Sequence, residues 1–358
     1  MKTVVLIGSG HAHLEVLKAL TNEEIAKNKF ILISPSRQTY YSGLIPRLIA
    51  GEIEDRNLTI NSADFAESKG FKFIQDEVLS VDQINKMVTL KSGEKIDFDL
   101  LSINVGGTPT KIPSDAPFNT IYLRPFDEFM SKWREVQRIC SACIKPRFVV
   151  VGGGAGAVEV AAALRIRLNK NQAKGSEVHL ISKGPKLCES YSDKISEQIK
   201  QSLLKSGIKI HLGESVNQIY QKTLKLSHGG NLKFDSIFIV TPTQPSEIFP
   251  GKVDSRLRLS SIMFAAGDGA EMAGYPNLPR SGVIAVHQGR HLVHSIRNVL
   301  NGLEPTVFKI KTKQLNILIT GENSARLVWG NFSFEGKWAL RLKNWIDQRY
   351  MSGFETAL

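Results

Sequence analysis

Two glycine-rich turns, each directly after a short apolar run, constrain this chain more than any other feature of its sequence. The first follows Val4–Ile7 and covers Gly8–His13; the second follows Phe148–Val151 and covers Gly152–Ala157. In a strand–turn–helix unit that binds a dinucleotide, one glycine makes the tight turn and the next lets backbone amides approach the pyrophosphate. The helix N-terminus then favours the negative charge of that group. One such turn is a weak signal, but two predict a chain that holds two dinucleotides face to face.

The size and composition of the chain fit two folded units. With 358 residues, 42% of them apolar, it can form two domains that each have a core. No apolar run approaches the roughly 20 residues of a membrane-spanning helix. The apolar run near Met1 is too short for a signal peptide and leads straight into Gly8. We therefore expect a buried first strand in a cytoplasmic protein.

The net charge of +12 admits more than one interpretation. Such a charge suits an anionic lipid surface, a nucleic acid or a phosphorylated ligand. The lysines and arginines are scattered, and no motif with interleaved aromatic residues is visible, so we expect no nucleic-acid partner. A basic soluble surface and attraction to the inner face of a membrane remain as alternatives.

The pattern of apolar segments predicts an α/β fold. Lys2–Ile7, Phe30–Ser34 and Phe148–Val151 have the composition of buried parallel strands. Helices are expected after the glycine turns, at His11–Leu20 and Ala157–Asn169. The expected fold has two Rossmann-like dinucleotide-binding domains, the second inserted in the first, plus a small C-terminal α+β region.

Two breaks at the ends of strands set the expected domain boundaries. Leu100–Pro109 ends in Gly-Gly-Thr-Pro, and Phe234–Val240 is followed by the proline-containing segment Thr241–Pro245. We interpret them as the two crossings between domains. The boundaries that follow are 1–108 with 246–303 for the first domain, 109–245 for the second and 304–358 for the C-terminal region.

An aspartate at the end of another apolar strand adds a ligand-binding group. The strand Ile262–Ala266 delivers Gly267 and Asp268 at its end. A carboxylate at the C-terminal edge of a sheet can accept a hydrogen bond from a sugar hydroxyl. Asp268 alone could equally cap a helix. In flavin enzymes with two dinucleotide-binding domains, an aspartate in this position binds the ribityl chain of FAD, and after two glycine turns we favour that role.

Further segments match a known family in the expected order. They are Gly8–His13, Tyr41–Pro46 with Ala50 and Gly51, Gly152–Glu159, Ala266–Asp268, Leu278–Val283 and Lys343–Asp347. With them the chain resembles the pyridine nucleotide–disulfide oxidoreductase superfamily and, within it, the type II NADH dehydrogenase-like branch. A closer likeness is to the flavoprotein family sometimes found joined to selenophosphate synthetase. The substrate does not follow from such a likeness.

The resemblance implies a set of FAD-binding positions. They are Gly8, Gly10, His11 and Ala12 in the first turn, with Ser34, Pro35 and Val78, then Tyr41, Ser42 and Gly43 near the flavin ring, Gly106 at the domain crossing, Asp268 on the ribityl chain, and Ser281, Gly282 and Val283. The last three would open a helix whose N-terminus faces the flavin pyrimidine. Its dipole would stabilise the reduced anion there.

The same resemblance implies a site for NADH or NADPH. Its residues are Gly152, Gly154, Gly156, Ala157, Ser182 and Lys183. Glu159, on the adjoining helix, is the candidate catalytic residue near the nicotinamide. The alternative for Glu159 is an acid in the first helical turn that complements the helix dipole. No metal ligand set is visible.

Three departures from the usual pattern limit the transfer. His13 occupies the third glycine position, where we favour a packing role over a redox role. Ser34 stands where an acid usually binds the FAD ribose, and a serine hydroxyl binds more weakly. Ser182 makes the same replacement in the second unit and is followed by Lys183. Without an acid the second site does not repel a 2′-phosphate, and Lys183 could attract one, so we hypothesise tolerance of NADPH.

The three cysteines argue against thiol chemistry. Cys140 and Cys143 form a C-x-x-C pair without further ligands nearby, and Cys188 stands alone. Disulfide reductases carry a cysteine pair some 30 residues after the first glycine turn. This chain has Tyr40–Gly43 there instead. Ordinary thiols are the preferred interpretation.

The C-terminal segment predicts a strand at Leu315–Thr320 and a helix from about Lys337 to Arg349. On that helix Trp338, Leu342, Trp345 and Ile346 share a face, while Lys337, Arg341, Lys343 and Arg349 supply charge. A basic helix with tryptophans suits a membrane surface. The alternatives are a helix that caps its own domain or forms a homodimer.

The leading functional hypothesis is an FAD-dependent NAD(P)H oxidoreductase that passes electrons to an unidentified acceptor, with a quinone as the first candidate. No protein nucleophile is needed, because the flavin carries out the chemistry. One alternative is an oxidoreductase of sulfur or selenium compounds. Another is a flavin-binding accessory or sensor protein without turnover.

Overall fold

The computed structural model describes residues 1–115, 119–245, 251–276, 278–311 and 313–355. Helices in this part of the chain are α1 (His11–Ala19), α2 (Asn22–Ala26), α3 (Ile45–Ile49), α4 (Ser62–Ser68), α5 (Phe126–Ala142), α6 (Ala155–Lys170), α7 (Asp193–Lys205), α8 (Gly282–Leu300) and α9 (Lys337–Ser352). Two short 3-10 helices cover Ser42–Leu44 and Asp55–Asn57.

Strands occur in three groups along the chain. The first is β1 (Thr3–Ile7), β2 (Lys29–Ser34), β3 (Thr39–Tyr40), β4 (Thr59–Ile60), β5 (Lys72–Gln75), β6 (Val78–Asp82), β7 (Met87–Leu90), β8 (Lys95–Asp97), β9 (Leu100–Ile103) and β10 (Thr108–Pro109). The second is β11 (Thr120–Tyr122), β12 (Arg147–Val151), β13 (Glu177–Ser182), β14 (Lys209–Leu212), β15 (Val216–Ile219), β16 (Thr223–Leu226), β17 (Asn231–Lys233), β18 (Ser236–Ile239) and β19 (Thr243–Gln244). The third is β20 (Lys252–Val253), β21 (Arg258–Ser260), β22 (Met263–Ala265), β23 (Glu271–Met272), β24 (Leu315–Gly321), β25 (Ser324–Trp329) and β26 (Phe332–Gly336).

The first sheet combines strands from distant parts of the chain, in the order β21-β22-β9-β1-β2-β5. Its central strand β1 lies parallel to β2 and β9, so that Val5 pairs with Ile31 on one side and Leu101 on the other. Apolar side chains fill β1 because both faces of a parallel sheet are covered. β22 returns late in the chain to pair with β9. The carboxyl ends of β1, β9 and β22 therefore meet at one edge.

The strands of the second sheet all come from the segment between β11 and β18. The sheet is entirely parallel, in the order β11-β18-β12-β13-β14. Its strand β12 leads into the second glycine turn and α6. The predicted α/β fold with two Rossmann-like units, the second between segments of the first, is confirmed. The domain boundaries stay a prediction, and residues 246–250, where one boundary falls, lie outside the described part of the chain.

The predicted elements lie close to those observed. α1 begins at His11 as expected and ends at Ala19, one residue early. α6 begins at Ala155, two residues before the predicted start, because Gly154 is its N-cap with extended backbone. In this part of the chain, no helix combines the length and the apolar character needed to cross a bilayer.

The C-terminal region is a three-stranded antiparallel sheet, β24-β25-β26, followed by α9. β24 packs on α6, and α9 packs on β25. Trp338 and Trp345 lie outward, 48% and 55% exposed. The inward side of α9 carries Lys343 and Asp347. Lys343 was expected among the surface charges, and that expectation is wrong, because the side chain points into the molecule between two carboxylates.

Candidate active site

A cavity of about 330 Å³ lies at the carboxyl edge of the first sheet. Several predicted FAD positions line it, namely Gly8, Gly10, His11, Ser34, Pro35, Ser42, Val78, Gly106, Asp268 and Gly282. The chain brings them together because β1, β2, β9 and β22 all end at this edge. Ala12, by contrast, is fully buried behind the turn.

Asn104 holds the first glycine turn in place. Its Oδ1 accepts a hydrogen bond from the Ala12 amide at 3.1 Å, and its Nδ2 donates to the Ala266 carbonyl at 2.9 Å. A Cβ at Gly10 would collide with the Asn104 side chain. Gly8 adopts φ +88°, a left-handed conformation that favours glycine. The turn therefore needs both glycines, and sequence reasoning missed Asn104.

His13 packs against the turn instead of facing the cavity. It is fully buried, with Nδ1 2.6 Å from the Gly8 carbonyl oxygen and Nε2 2.8 Å from the Ser102 hydroxyl. Burial lowers its pKa to about 4, so the ring is neutral at pH 7. These contacts favour the packing role that the sequence suggested.

Asp268 stands at the cavity wall, only 6% exposed. No helix begins directly after it, since the next helix, α8, starts at Gly282 with Ser281 as its N-cap. The alternative role as a helix cap is therefore wrong. Its carboxylate forms an ion pair with Arg124, which follows β11 and lines the same cavity. Arg124 is a second residue that sequence reasoning missed.

Position 34 carries a serine instead of the acid that usually binds the ribose, but two acids lie on the neighbouring strand end. The Ser34 hydroxyl lies 3.1 Å from that of Ser9. Asp76 and Glu77 follow the neighbouring strand β5 and line the same cavity. The Asp76 amide donates to the Ser34 carbonyl at 3.1 Å, which fixes these acids at the strand ends. They supply carboxylates where the sequence pattern showed only a serine.

The residues of this first cavity fit FAD. A glycine turn at the N-terminus of α1 suits a pyrophosphate, and hydroxyl and carboxylate groups at the strand ends suit a ribose. Gly106 has φ +78°, and a Cβ there would meet no atom within 4 Å, so its backbone is open to the cavity. Asp268 offers a buried acceptor for a sugar-chain hydroxyl.

A second cavity, of about 620 Å³, adjoins the first and is lined by both dinucleotide units. From the first unit come Tyr41, Ser42, Gly43 and Ser281–Val283. From the second come Gly156 and Glu159. Gly152, Gly154, Ala157, Ser182 and Lys183 line neither cavity. Ser42, Gly282, Arg124 and Phe126 line both cavities and so mark where they join.

The second glycine turn has the geometry of a binding turn although it lies outside both cavities. Gly152 has φ +146°, and a Cβ there would collide with the Val240 carbonyl oxygen. A Cβ at Gly154 would meet no atom within 4 Å, so the N-terminus of α6 is accessible to a ligand. Ala157 is fully buried and allows close packing beneath the turn.

Four polar side chains form a buried network at the wall of the second cavity. Lys343 Nζ lies 4.0 Å from Glu159 Oε1 and 3.3 Å from Asp347 Oδ2, and it donates to the Gly43 carbonyl at 3.1 Å. The Tyr41 hydroxyl donates to Asp347 Oδ1 at 2.9 Å. The Ile319 amide donates to Glu159 Oε1 at 3.1 Å.

Burial and charge oppose each other within this network. Burial raises the pKa of Glu159 and of Asp347, because it penalises the charged form. Burial works to lower the pKa of Lys343, but the carboxylates of Glu159 and Asp347 outweigh it and raise that pKa. Lys343 therefore stays protonated between two acids whose proton affinity is increased. α6 begins at Ala155 and its first turn carries no acid, so the alternative role of Glu159 as a first-turn acid is wrong.

Sequence reasoning missed Lys343 and Asp347 as site residues. Their spacing of four along α9 places them on one face, and two opposite charges at that spacing usually form a solvated pair. The only available signal was that Lys343 and Asp347 are the first and last residues of one of the segments shared with the family. The cysteines play no part here, since Cys140, Cys143 and Cys188 are free and line neither cavity.

Comparison with known proteins agrees with this arrangement. The model of the family described as pyridine nucleotide-disulphide oxidoreductase matches residues 2–289. An external alternative NAD(P)H-ubiquinone oxidoreductase B2 of Arabidopsis thaliana mitochondria is 25% identical over an alignment 268 residues long, which covers 64% of this chain and 44% of that protein. The chain thus spans less than half the length of this relative.

Solved structures share the fold at low sequence identity. The sulfide:quinone oxidoreductase of Aquifex aeolicus superposes with a TM-score of 0.85 at 18% identity, over 99% of this chain and 91% of that one. NDH2 of Plasmodium falciparum in complex with NADH gives a TM-score of 0.82 at 15% identity, over 99% and 100% of the two chains. The family match covers most of the sequence, and the chain belongs to the pyridine nucleotide-disulphide oxidoreductase family.

Proposed function

We propose that the protein is an FAD-dependent oxidoreductase that takes a hydride from NADH or NADPH and passes electrons to an acceptor, with a quinone as the leading candidate. The observation that carries this proposal is the second cavity. Residues of the first unit that suit a flavin ring and Glu159 of the second unit line the same space. A nicotinamide ring bound at the second glycine turn would reach that space.

The protein's own residues bind and orient. When bound, FAD supplies the redox chemistry. The N-terminus of α8, capped by Ser281, directs its positive dipole end at both cavities and favours negative charge there. Gly154 leaves room for a pyrophosphate at α6. Beside the second cavity, Lys343 holds a proton on Nζ and Tyr41 holds one on its phenol oxygen. A quinone that accepts two electrons also needs two protons.

A quinone acceptor agrees with the name of the Arabidopsis relative. The Aquifex structure suggests a sulfide-linked alternative, but thiol chemistry at the flavin has little support here. The three cysteines line neither cavity, and burial raises the pKa of Cys140 to about 11 and of Cys188 to about 12. Neither thiol is a ready nucleophile at neutral pH.

We propose further that the protein binds peripherally to the inner face of a membrane. The support is a set of five aromatic side chains on β25, β26 and α9, each about half exposed, which we call the aromatic patch: Trp329, Phe332, Phe334, Trp338 and Trp345. Trp329 pairs with Phe332 across β25 and β26. Lys337, Arg341 and Arg349 on α9 are exposed as well. Leu315 pairs with Trp329 and lines the second cavity, so the patch adjoins its wall. A homodimer is the competing use of this patch.

Anaerobic reduction tests the proposed function. The purified protein should be yellow, and NADH or NADPH should bleach it. A soluble quinone analogue should then restore the colour faster than oxygen does. In Gly154→Asp, a carboxylate enters the open space at the N-terminus of α6, so bleaching should disappear while FAD stays bound.

Gly230→Asp is the matched control, because Gly230 lies in an exposed hairpin turn without positive φ. It should bleach like the wild type. A wild-type protein that binds FAD but is bleached by neither nucleotide would refute turnover and favour an accessory flavoprotein.

A further inference from the structure

The adenosine end of the second unit lacks the acid that usually binds a ribose. In a Rossmann unit that acid ends the second strand, next to the glycine turn, and accepts a hydrogen bond from the 2′-hydroxyl. Here Ser182 ends β13. Its side chain lies at the turn, since a Cβ at Gly153 would collide with the Ser182 hydroxyl. Ser182 thus marks the expected position of the ribose without supplying a charge.

The loop after β13 folds back onto this corner. The Cys188 amide donates to the Gly153 carbonyl at 2.6 Å, and Leu187 and Cys188 are buried. Lys186 Nζ donates to the Tyr191 carbonyl at 2.8 Å and pairs with Asp193 at 2.9 Å. The loop is therefore tied both to the glycine turn and to the start of α7.

The folding of this loop places a carboxylate near the end of β13, a strand that does not end in an acid. Glu189 follows Cys188 directly, and its side chain turns back over Gly184, two residues after Ser182. A Cβ at Gly184 would collide with Glu189 Oε1 and lie 2.8 Å from its Cδ. The Gly213 amide donates to the Gly184 carbonyl at 3.0 Å, so the backbone beneath the carboxylate is fixed. Among the described residues, Glu189 has no hydrogen-bond or ion-pair partner.

We propose that Glu189 determines the nicotinamide specificity of this protein, by accepting a hydrogen bond from the adenosine ribose of NADH and repelling the 2′-phosphate of NADPH. The proposal rests on the proposed function, in which the second glycine turn binds the nucleotide. It assigns to a loop residue the task that a strand-end acid performs elsewhere.

Lys183 is the opposing charge at this corner, and it is exposed. A lysine on a flexible, solvated stem attracts a phosphate weakly, because water and salt screen it. The Glu189 side chain is exposed as well, but its carboxylate lies against the Gly184 backbone, which is itself held by a hydrogen bond, and it has no partner among the described residues to neutralise it. We therefore expect NADH to be preferred, which reverses the tolerance inferred from Ser182 and Lys183 alone.

Binding of NAD⁺ and NADP⁺ to the FAD-loaded protein, measured by calorimetry, tests this. In Glu189→Gln the preference for NAD⁺ should fall by about tenfold or more, as expected for the loss of one charge-assisted hydrogen bond and one repulsion. Glu135→Gln, which removes an exposed acid on α5, controls for the change in net charge.

A second variant moves the carboxylate without removing it. Gly184 has no positive φ, and the three atoms nearest to its new Cβ all belong to Glu189. Gly184→Ala should therefore displace Glu189 and shift the preference in the same direction. Unchanged preference in both variants would overturn the proposal. That result is distinct from failure of the proposed function, in which neither nucleotide bleaches the wild-type flavin.

Discussion

Lys343 Nζ lies 4.0 Å from Glu159 Oε1, which joins the C-terminal helix α9 to the helix of the second glycine turn. The pair is mostly buried, with side chains 10% and 16% exposed, at the wall where both dinucleotide units meet. Removing one partner from a buried ion pair leaves an uncompensated charge. The C-terminal region therefore completes the site chemically and also covers it.

Replacing Lys343 should separate the two half-reactions. In Lys343→Met we expect turnover with a soluble quinone analogue to fall about 100-fold, the typical scale of a lost proton donor. Flavin bleaching by NADH should change much less, because hydride transfer needs no proton from the protein. Stopped-flow absorbance measures both steps.

Lys194→Met, on the exposed side of α7, is the control and should behave like the wild type. Loss of stability is a separate effect, and thermal unfolding of the Lys343 variant reports it. If both half-reactions fell equally, or neither fell, Lys343 would have no role in proton delivery.

Asp268 should contribute to FAD affinity. In Asp268→Asn we expect FAD to bind about tenfold more weakly, as for the loss of a hydrogen bond to a charged group. Fluorescence titration of the apoprotein with FAD measures the change. Asp97→Asn, an exposed acid on β8, should leave affinity unchanged. Equal affinity in Asp268→Asn would mean that the carboxylate serves only its ion pair with Arg124.

The features that the sequence predicted well are local. A glycine turn depends on residues that are adjacent in sequence, such as Gly8 with its positive φ. The apolar runs predicted β1 and β12 to within one residue. The boundary of α6 was missed by two residues because Gly154 caps a helix with its backbone alone. Such a cap leaves no side-chain signal.

The features that were missed depend on contacts between distant segments. Lys343 resembles a surface charge until α9 packs beside Glu159, and Arg124 has no signal until β11 brings it to Asp268. Glu189 is a loop acid with no motif, and only the fold-back of its loop onto Gly153 gives it a position. In each case long-range packing, which a local pattern does not encode, decides the role.

The stability of the protein should fall on mild acidification because of His13. Its pKa is lowered to about 4 in the folded state by burial, whereas the unfolded value is about 6.5. Between these values the unfolded chain binds more protons, so the free energy of unfolding decreases as pH falls from 6.5 to 4. The full difference corresponds to about 3 kcal/mol for this fully buried ring.

Urea unfolding across that pH range tests the assignment. His13→Asn keeps a donor toward the Gly8 carbonyl. It should remove about half of the loss, since loss of solvent contact also lowers the pKa of His11, which lines the first cavity, to about 4. His294→Asn, an exposed histidine on α8, should show the wild-type dependence. A His13 variant that loses stability as steeply as the wild type would show that His13 is not the titrating group.

The aromatic patch should bind anionic membranes. We expect the double variant Trp338→Ser, Trp345→Ser to sediment with anionic vesicles about tenfold less at low salt, because it loses two interfacial side chains while the basic residues remain. Tyr275→Ser removes an aromatic side chain that is 51% exposed outside the patch and should sediment like the wild type. Light scattering in the absence of lipid tests whether the patch forms a homodimer instead. If vesicle binding were unchanged and a wild-type dimer became a monomer, the patch would be an interface between copies of this chain.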